Sequence, residues 1–254
     1  MIETDRLSRD YGGRTALHPL TLQVGPGEIL GFLGPNGAGK STTVKLLTGM
    51  IKPSGGRARV AGFDISSEPL EVKRRIGYVP ESAALYESLT AREFLDVIAS
   101  LYHESAGTSA QRIDELLDRL DLSAAKDQRL SEFSKGMKQK VLIASALMHR
   151  PDVVFLDEPL TGLDANAALV VKELIKSLAA QGRTIFFCSH VLEVVERVCS
   201  RIVIINAGRT IADGTPAAIA EAAGVRSLEA AFVAMTGTRD AAQVSHELLD
   251  ALER

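Results

Sequence analysis

The sequence predicts an α/β fold built on a mainly parallel sheet. Two patterns carry this expectation. Short runs dense in Ile, Leu, Val and Phe, without alternation, read as strands covered on both faces. Between them, apolar residues recur at i, i+3, i+4 and i+7, the period of an amphipathic helix. With 254 residues the chain is long enough to bury a substantial core.

The elements follow in order. Residues 28–33 form the first such strand and lead through a glycine-rich loop into a helix over 42–50, stopped near Pro53. Phe94, Val97, Ile98 and Leu101 predict a helix between Thr90 and Tyr102. Ile113, Leu116, Leu117 and Leu120 predict the next, with Thr108 and Gln111 spaced for a capping box at its start. Residues 81–150 are therefore nearly all helical between strand-rich parts, which predicts a helical subdomain inserted over about 82–150. Strands are expected again over 152–156, 184–188 and 202–206. Val171, Leu174, Ile175 and Leu178, closed by Gly182, predict one intervening helix; Val191, Val194, Val195 and Val198 predict another. Gly208 and Arg209 read as a hairpin turn. Residues 1–223 are expected to form the main domain and 224–254 a helical tail, polar with spaced leucines from 236 onward.

Composition narrows the function classes. The formal net charge is −3 and no block of Lys and Arg stands out, so nucleic acid is not an expected partner. Cys188 and Cys199 are the only cysteines, which suggests a reducing compartment rather than a disulfide scaffold. Residues 1–11 carry Glu3, Asp5, Arg6, Arg9 and Asp10, unlike the apolar region of a signal peptide. Apolar runs such as 141–148 fall far short of the roughly 20 residues that span a bilayer. Work at a membrane would need a partner to hold the chain there.

Three stretches carry chemistry. Gly34-Pro35-Asn36-Gly37-Ala38-Gly39-Lys40-Ser41 fits GxxxxGK[ST] between an apolar strand and a helix. Glycines let the backbone wrap around β- and γ-phosphates, its N–H groups pointing inward at a helix N-terminus. Lys40 would bring a positive charge to the phosphates and Ser41 a hydroxyl ligand to Mg²⁺. The alternative, a glycine turn leading by chance into a helix, requires the strand and helix to be coincidental. Downstream, the apolar run 153–156 ends in Asp157-Glu158-Pro159. Asp157 is placed to hold Mg²⁺ opposite Ser41, and Glu158 to orient or deprotonate an attacking water; the plainer reading is two solvated acids before a turn. The strand 184–188 ends in Ser189-His190, where the histidine would either bond a γ-phosphate and its water or simply open a helix.

Taken together, the ordered motifs resemble the ATP-binding subunits of ABC transporters. They are the phosphate loop at 34–41, Gly77-Tyr78-Val79-Pro80-Glu81, Phe133-Ser134-Lys135-Gly136-Met137-Lys138-Gln139-Lys140, the acidic strand, Leu160-Thr161-Gly162-Leu163-Asp164, and Ser189-His190. The resemblance runs from Ile2 to about Gly237. It implies a P-loop NTPase (RecA-like) core and an N-terminal antiparallel β subdomain. ATP would be held by Pro35, Asn36, Gly37, Ala38, Gly39, Lys40, Ser41 and Thr42, with Tyr11 stacked on adenine. Ser41, Glu81 and Asp157 would surround Mg²⁺; Lys40, Glu158 and His190 would act in hydrolysis. Ser134 and Gly136 would contact the γ-phosphate of ATP bound to a second subunit, and Asp164 would communicate across that interface. The implied assembly is a head-to-tail dimer of two identical chains on the cytoplasmic face of the plasma (inner) membrane, beneath a separate membrane-spanning partner.

Three positions depart from the family pattern. Glu81 stands where a glutamine is usual and adds negative charge beside the phosphates. Lys135 stands where glycine is common. Met137 replaces a glutamine and cannot donate its hydrogen bond. With Ser227 to Gly237, these variants resemble the subfamily that pairs with ABC-2 type membrane proteins, many of them exporters. A soluble ATPase acting on a nucleic-acid or protein assembly is the alternative; the absence of sustained heptads and of a second nucleotide domain argues against it. A non-hydrolysing ATP binder is opposed by intact Lys40, Asp157, Glu158 and His190.

Overall fold

The computed structural model describes residues 1–82, 85–103, 106–237 and 251–252. The chain runs β1 (Ile2–Tyr11), β2 (Arg14–Val24), β3 (Ile29–Leu33), α1 (Lys40–Leu47), β4 (Gly55–Val60), β5 (Phe63–Asp64), α2 (Pro69–Arg75) and β6 (Ile76–Val79). It continues through α3 (Ala91–Leu101), α4 (Ala106–Arg119), α5 (Lys135–Leu147), β7 (Val153–Asp157), α6 (Ala165–Ala180) and β8 (Thr184–Cys188). The last elements are α7 (Leu192–Val198), β9 (Arg201–Asn206), β10 (Arg209–Gly214), α8 (Pro216–Ala222) and α9 (Leu228–Thr236). The expected tail helix falls almost wholly outside the described residues.

Two sheets face each other. The N-terminal one is antiparallel, in the order β2-β1-β4-β5. The larger one has the order β10-β9-β3-β8-β7-β6, parallel throughout except for the β9–β10 hairpin at its edge. That hairpin turns on Ala207 and Gly208, both with positive φ, one residue earlier than the sequence suggests.

The missing alternation in the strands has a direct cause. Leu30 and Phe32 of β3, Phe155 of β7 and Phe186 of β8 pack toward the antiparallel sheet with Val44 and Leu47 of α1. Val154, Leu156, Ile185, Phe187, Ile202 and Ile204 fill the opposite face beneath α6 and α7. Both faces being covered, every position of β3, β7 and β8 is buried. Phe186 lies 5.0 Å from Phe32 and 5.4 Å from Phe155, centroid to centroid, and each such buried ring contributes roughly 1.5–3 kcal/mol.

Helices α3, α4 and α5 lie in the crossover from β6 to its parallel neighbour β7 and share a core of their own. Helix α5 belongs to both bodies. Val141, Ala144 and Met148 face that helical core, while Ile143 and Ala146 pack under the main sheet. The capping box sits on α3: Thr90 Oγ1 accepts from Glu93 N at 3.1 Å, and Glu93 Oε2 accepts from Thr90 N at 2.8 Å. Thr108 and Gln111 form none, because α4 already begins at Ala106 and Thr108 lies inside it. The spacing suits both places; only the extended backbone of Thr90 makes it a cap. Replacing Thr90 by Ala is expected to cost about 1 kcal/mol, lowering the thermal midpoint by roughly 2–4 °C in scanning calorimetry. An unchanged midpoint would show that the box contributes nothing.

Among the described residues no helix is long and apolar enough to cross a membrane. Both cysteines are free and buried, and burial holds the Cys188 thiol protonated, well above its ordinary range.

Candidate functional site

Four neighbouring parallel strands deliver the site at their C-terminal ends. The glycine loop follows β3, Ser189 and His190 follow β8, Asp157 closes β7 with Glu158 next, and Glu81 lies just beyond β6. The C-terminal edge of an open α/β sheet is where ligands bind, because the following loops and helix N-termini gather there. A cleft of about 940 Å³ opens at this edge. Its lining includes Asn36, Gly37, Ala38, Gly39, Lys40, Ser41 and Thr42 of the loop together with Glu81, Asp157, Glu158 and His190. The hairpin between β1 and β2 closes one side with Tyr11, Arg14, Thr15 and Ala16.

The loop's shape depends on its glycines. Gly39 caps α1 with φ 107°, a left-handed conformation that disfavours any Cβ, and an added Cβ would lie 2.5 Å from the Ala16 carbonyl oxygen. The loop is pinned by Ala38 N donating to Pro35 O at 3.1 Å and Gly208 N donating to Ala38 O at 2.9 Å. Lys40 Nζ donates to Gly34 O at 2.5 Å and Pro35 O at 3.2 Å, which sets the ammonium over the loop. Pro35 itself does not line the cleft. The first turn of α1 carries no acid, so its N–H groups and dipole favour an anion.

Glu158 is held more tightly than an ordinary acid after a strand. Its φ of 52° is left-handed for a non-glycine residue, and such backbones cost on the order of 1–3 kcal/mol. Its side chain is buried, with Oε1 2.9 Å from His190 Nδ1 and Oε2 accepting from Ser189 Oγ at 3.1 Å. Ser189 was not assignable from sequence, since a hydroxyl beside a histidine says nothing about which carboxylate it meets. The same holds for Arg14, Thr15 and Ala16, which carry no motif. The lysines and acids are unequal: Glu81, Asp157 and Glu158 share the cleft with Lys40. Burial first, then the Glu81 and Glu158 carboxylates, push Asp157 up to about 6, against the pull of Lys40 and Lys45.

A divalent cation fits this donor set. Ser41, Asp157 and Glu81 offer only oxygens, which suit Mg²⁺, and the excess negative charge that raises Asp157 is the charge such an ion offsets. Among the described residues no group of three or more His, Cys, Asp or Glu is arranged to hold a metal alone. Mg²⁺ therefore needs phosphate oxygens as further ligands. Tyr11 is exposed at the cleft mouth, and Arg9 covers one ring face at 4.5 Å, leaving one face for stacking.

Ser134, Gly136 and Asp164 are not brought to this cleft. Ser134 is the N-cap of α5, its hydroxyl accepting from Met137 N at 3.2 Å. Asp164 is the N-cap of α6, accepting from Ala167 N at 2.8 Å, a hydrogen bond that lowers its pKa. Gly136 packs so closely on the loop before α6 that an added Cβ would sit 2.6 Å from Gly162 O. Away from the cleft, His149 stacks on Tyr102 with ring centroids 3.7 Å apart, and His103 is exposed.

A glycine phosphate loop between β3 and α1, with an acid pair at the end of the parallel strand β7, one strand away across β8, defines a P-loop nucleotide-binding protein. The family comparison is more specific. The ABC transporter family model matches residues 17–161, and the chain belongs to that family. An uncharacterised ABC transporter ATP-binding protein of Synechocystis is 46% identical over 206 residues, 80% of this chain. The match spans only 58% of that relative's length. The daunorubicin resistance ATP-binding protein DrrA2 of Streptomyces coeruleorubidus is 40% identical over 215 residues, 85% of this chain and 67% of its own. The solved structure of an ATP-binding subunit of an ABC transporter superposes with a TM-score of 0.87 at 34% identity, covering 92% of this chain and 99% of that one.

Proposed function

We propose that the chain binds and hydrolyses ATP as the motor subunit of an ABC transporter, driving export through a separate membrane-spanning partner of the ABC-2 type. The observation that carries this reading is a single cleft joining the phosphate loop to Asp157, Glu158 and His190, with the Ser134 and Gly136 segment placed elsewhere. Ser134, Gly136 and Asp164 of the family's ATP-contacting set thus lie away from the cleft of their own chain. Two copies arranged head to tail would supply these residues to each other. The N-terminus of α5, capped by Ser134, with Lys135 and no acid in its first turn, suits the anionic γ-phosphate of the opposing ATP.

Within the cleft the residues divide the work. Tyr11 stacks on adenine, residues 36–42 cradle the phosphates, and Lys40 and Ser41 fix the terminal ones. Mg²⁺, held by Ser41, Asp157 and Glu81, supplies neutralising charge at the β- and γ-phosphates. Glu158 orients the attacking water and accepts its proton, kept in register by Ser189, while His190 donates toward the γ-phosphate. Export is favoured because DrrA2 is named for drug resistance. The motor would work on the cytoplasmic face of the membrane, with the segment 82–89 before α3 receiving the partner.

The test is to tag the Glu158→Gln chain in its own cell, trap it with ATP and identify what co-purifies from solubilised membranes. A polytopic membrane protein is expected. Recovery from the cytosol with ribosomal or nucleic-acid partners would replace this reading with that of a soluble ATPase.

A further inference from the structure

We propose that Gln139 is a positioning residue for Glu158, tying the N-terminal turns of α5 to the bend that carries the general base. This rests on the reading of Glu158 given above. Gln139 is 7% exposed, and its Nε2 donates to Pro159 O at 3.0 Å. The bend it grips lies immediately after Glu158. The ladder between β7 and β8 ends at the Asp157–Cys188 pair, so beyond it the backbone is no longer held by the sheet. From the β8 side the bend is fixed by Glu158 N donating to Cys188 O at 2.9 Å. From the other side it is fixed by Gln139, because Pro159 has no N–H of its own to anchor it.

A second contact makes α5 and this loop one body. Gly136, one turn before Gln139, packs on Gly162 O so closely that no side chain fits between them. The first two turns of α5 therefore touch the loop near both ends, at Pro159 and at Gly162. Any displacement of the α5 N-terminus is passed to the Pro159 carbonyl, one residue from a base whose left-handed backbone tolerates little movement. Gln139 touches no reacting atom. Its contribution is the amide donor: methionine fills a similar volume and donates nothing, and an ionised carboxylate would meet the carbonyl oxygen with repulsion.

The experiment is steady-state ATP hydrolysis by Gln139→Met and Gln139→Glu beside the parent and Glu158→Gln. For Gln139→Met, kcat should fall about tenfold with KM within about twofold, the mark of a misplaced base rather than a weakened binding site. Gln139→Glu should lose at least as much. In a Glu158→Gln background, Gln139→Met should leave the ATP concentration for half-maximal dimerisation unchanged. Unchanged kcat in both variants would overturn the proposal, as would a joint shift of kcat and the ATP needed for dimerisation, which marks a merely structural role. Full turnover by Glu158→Gln itself would instead remove the reading of Glu158 as base, and this inference with it.

Discussion

Replacing Glu158 by Gln is expected to reduce ATP turnover by about a thousandfold while leaving ATP binding intact. The amide keeps the size of the carboxylate, so Ser189 Oγ retains an oxygen to donate to and the left-handed bend is preserved. The proposed proton acceptor is lost. One negative charge of the three in the cleft also disappears, so affinity for the anionic nucleotide should hold or rise. With hydrolysis blocked, the ATP-bound dimer should accumulate, seen as a doubling of mass by light scattering that appears with ATP and reverses when it is removed. Turnover within tenfold of the parent would move the base elsewhere, with His190 the next group in reach.

Asp157→Asn should separate stability from function. In the folded protein Asp157 titrates at about 6, raised from an ordinary 3.8 by burial and by Glu81 and Glu158. A raised folded value means that the fold favours the neutral acid. That preference is fully present below about pH 4 and is lost as pH rises through 6. At pH 8 the ionised carboxylate therefore costs the fold up to about 3 kcal/mol. Asn carries no such charge. Without nucleotide or Mg²⁺, the variant is expected to be more stable than the parent at pH 8 in denaturant titrations, with the difference shrinking toward pH 5. A variant equally destabilised at both values would mean that burial and repulsion do not govern this group. The same substitution should abolish Mg²⁺-dependent hydrolysis. In the parent, the Mg²⁺ needed for half-maximal rate should rise as pH falls below about 6, where protons compete with the ion for Asp157.

Much of this was legible because the signals are local. The glycine loop is a short contiguous segment whose backbone requirement is written in residue type, and its strand and helix flank it directly. The unbroken apolar runs at 153–156 and 185–188 announce strands covered on both faces, and both are wholly buried. Other features were not legible because their meaning lies in a partner distant along the chain. The Thr-x-x-Glu spacing at Thr90 and the Thr-x-x-Gln spacing at Thr108 look equivalent, yet only the first caps a helix. Ser189 meets Glu158 across 31 positions, and Gln139 reaches Pro159 across 20.

The sequence by itself determined the fold class, the glycine loop between strand and helix, and the family, since each rests on periodicity or on short motifs with fixed backbone demands. Only the tertiary structure decided which of those motifs share a site. Strands β3, β6, β7 and β8 occur in that order along the chain, with β4 and β5 of the other sheet between the first two, but lie side by side as β3-β8-β7-β6, so Glu81, Asp157, Glu158 and His190 converge on the loop after β3. It also placed Ser134 and Asp164 at helix caps outside the cleft. The reason is physical: strand order is set by which buried faces and ladders pair across long loops, and no local pattern encodes that choice.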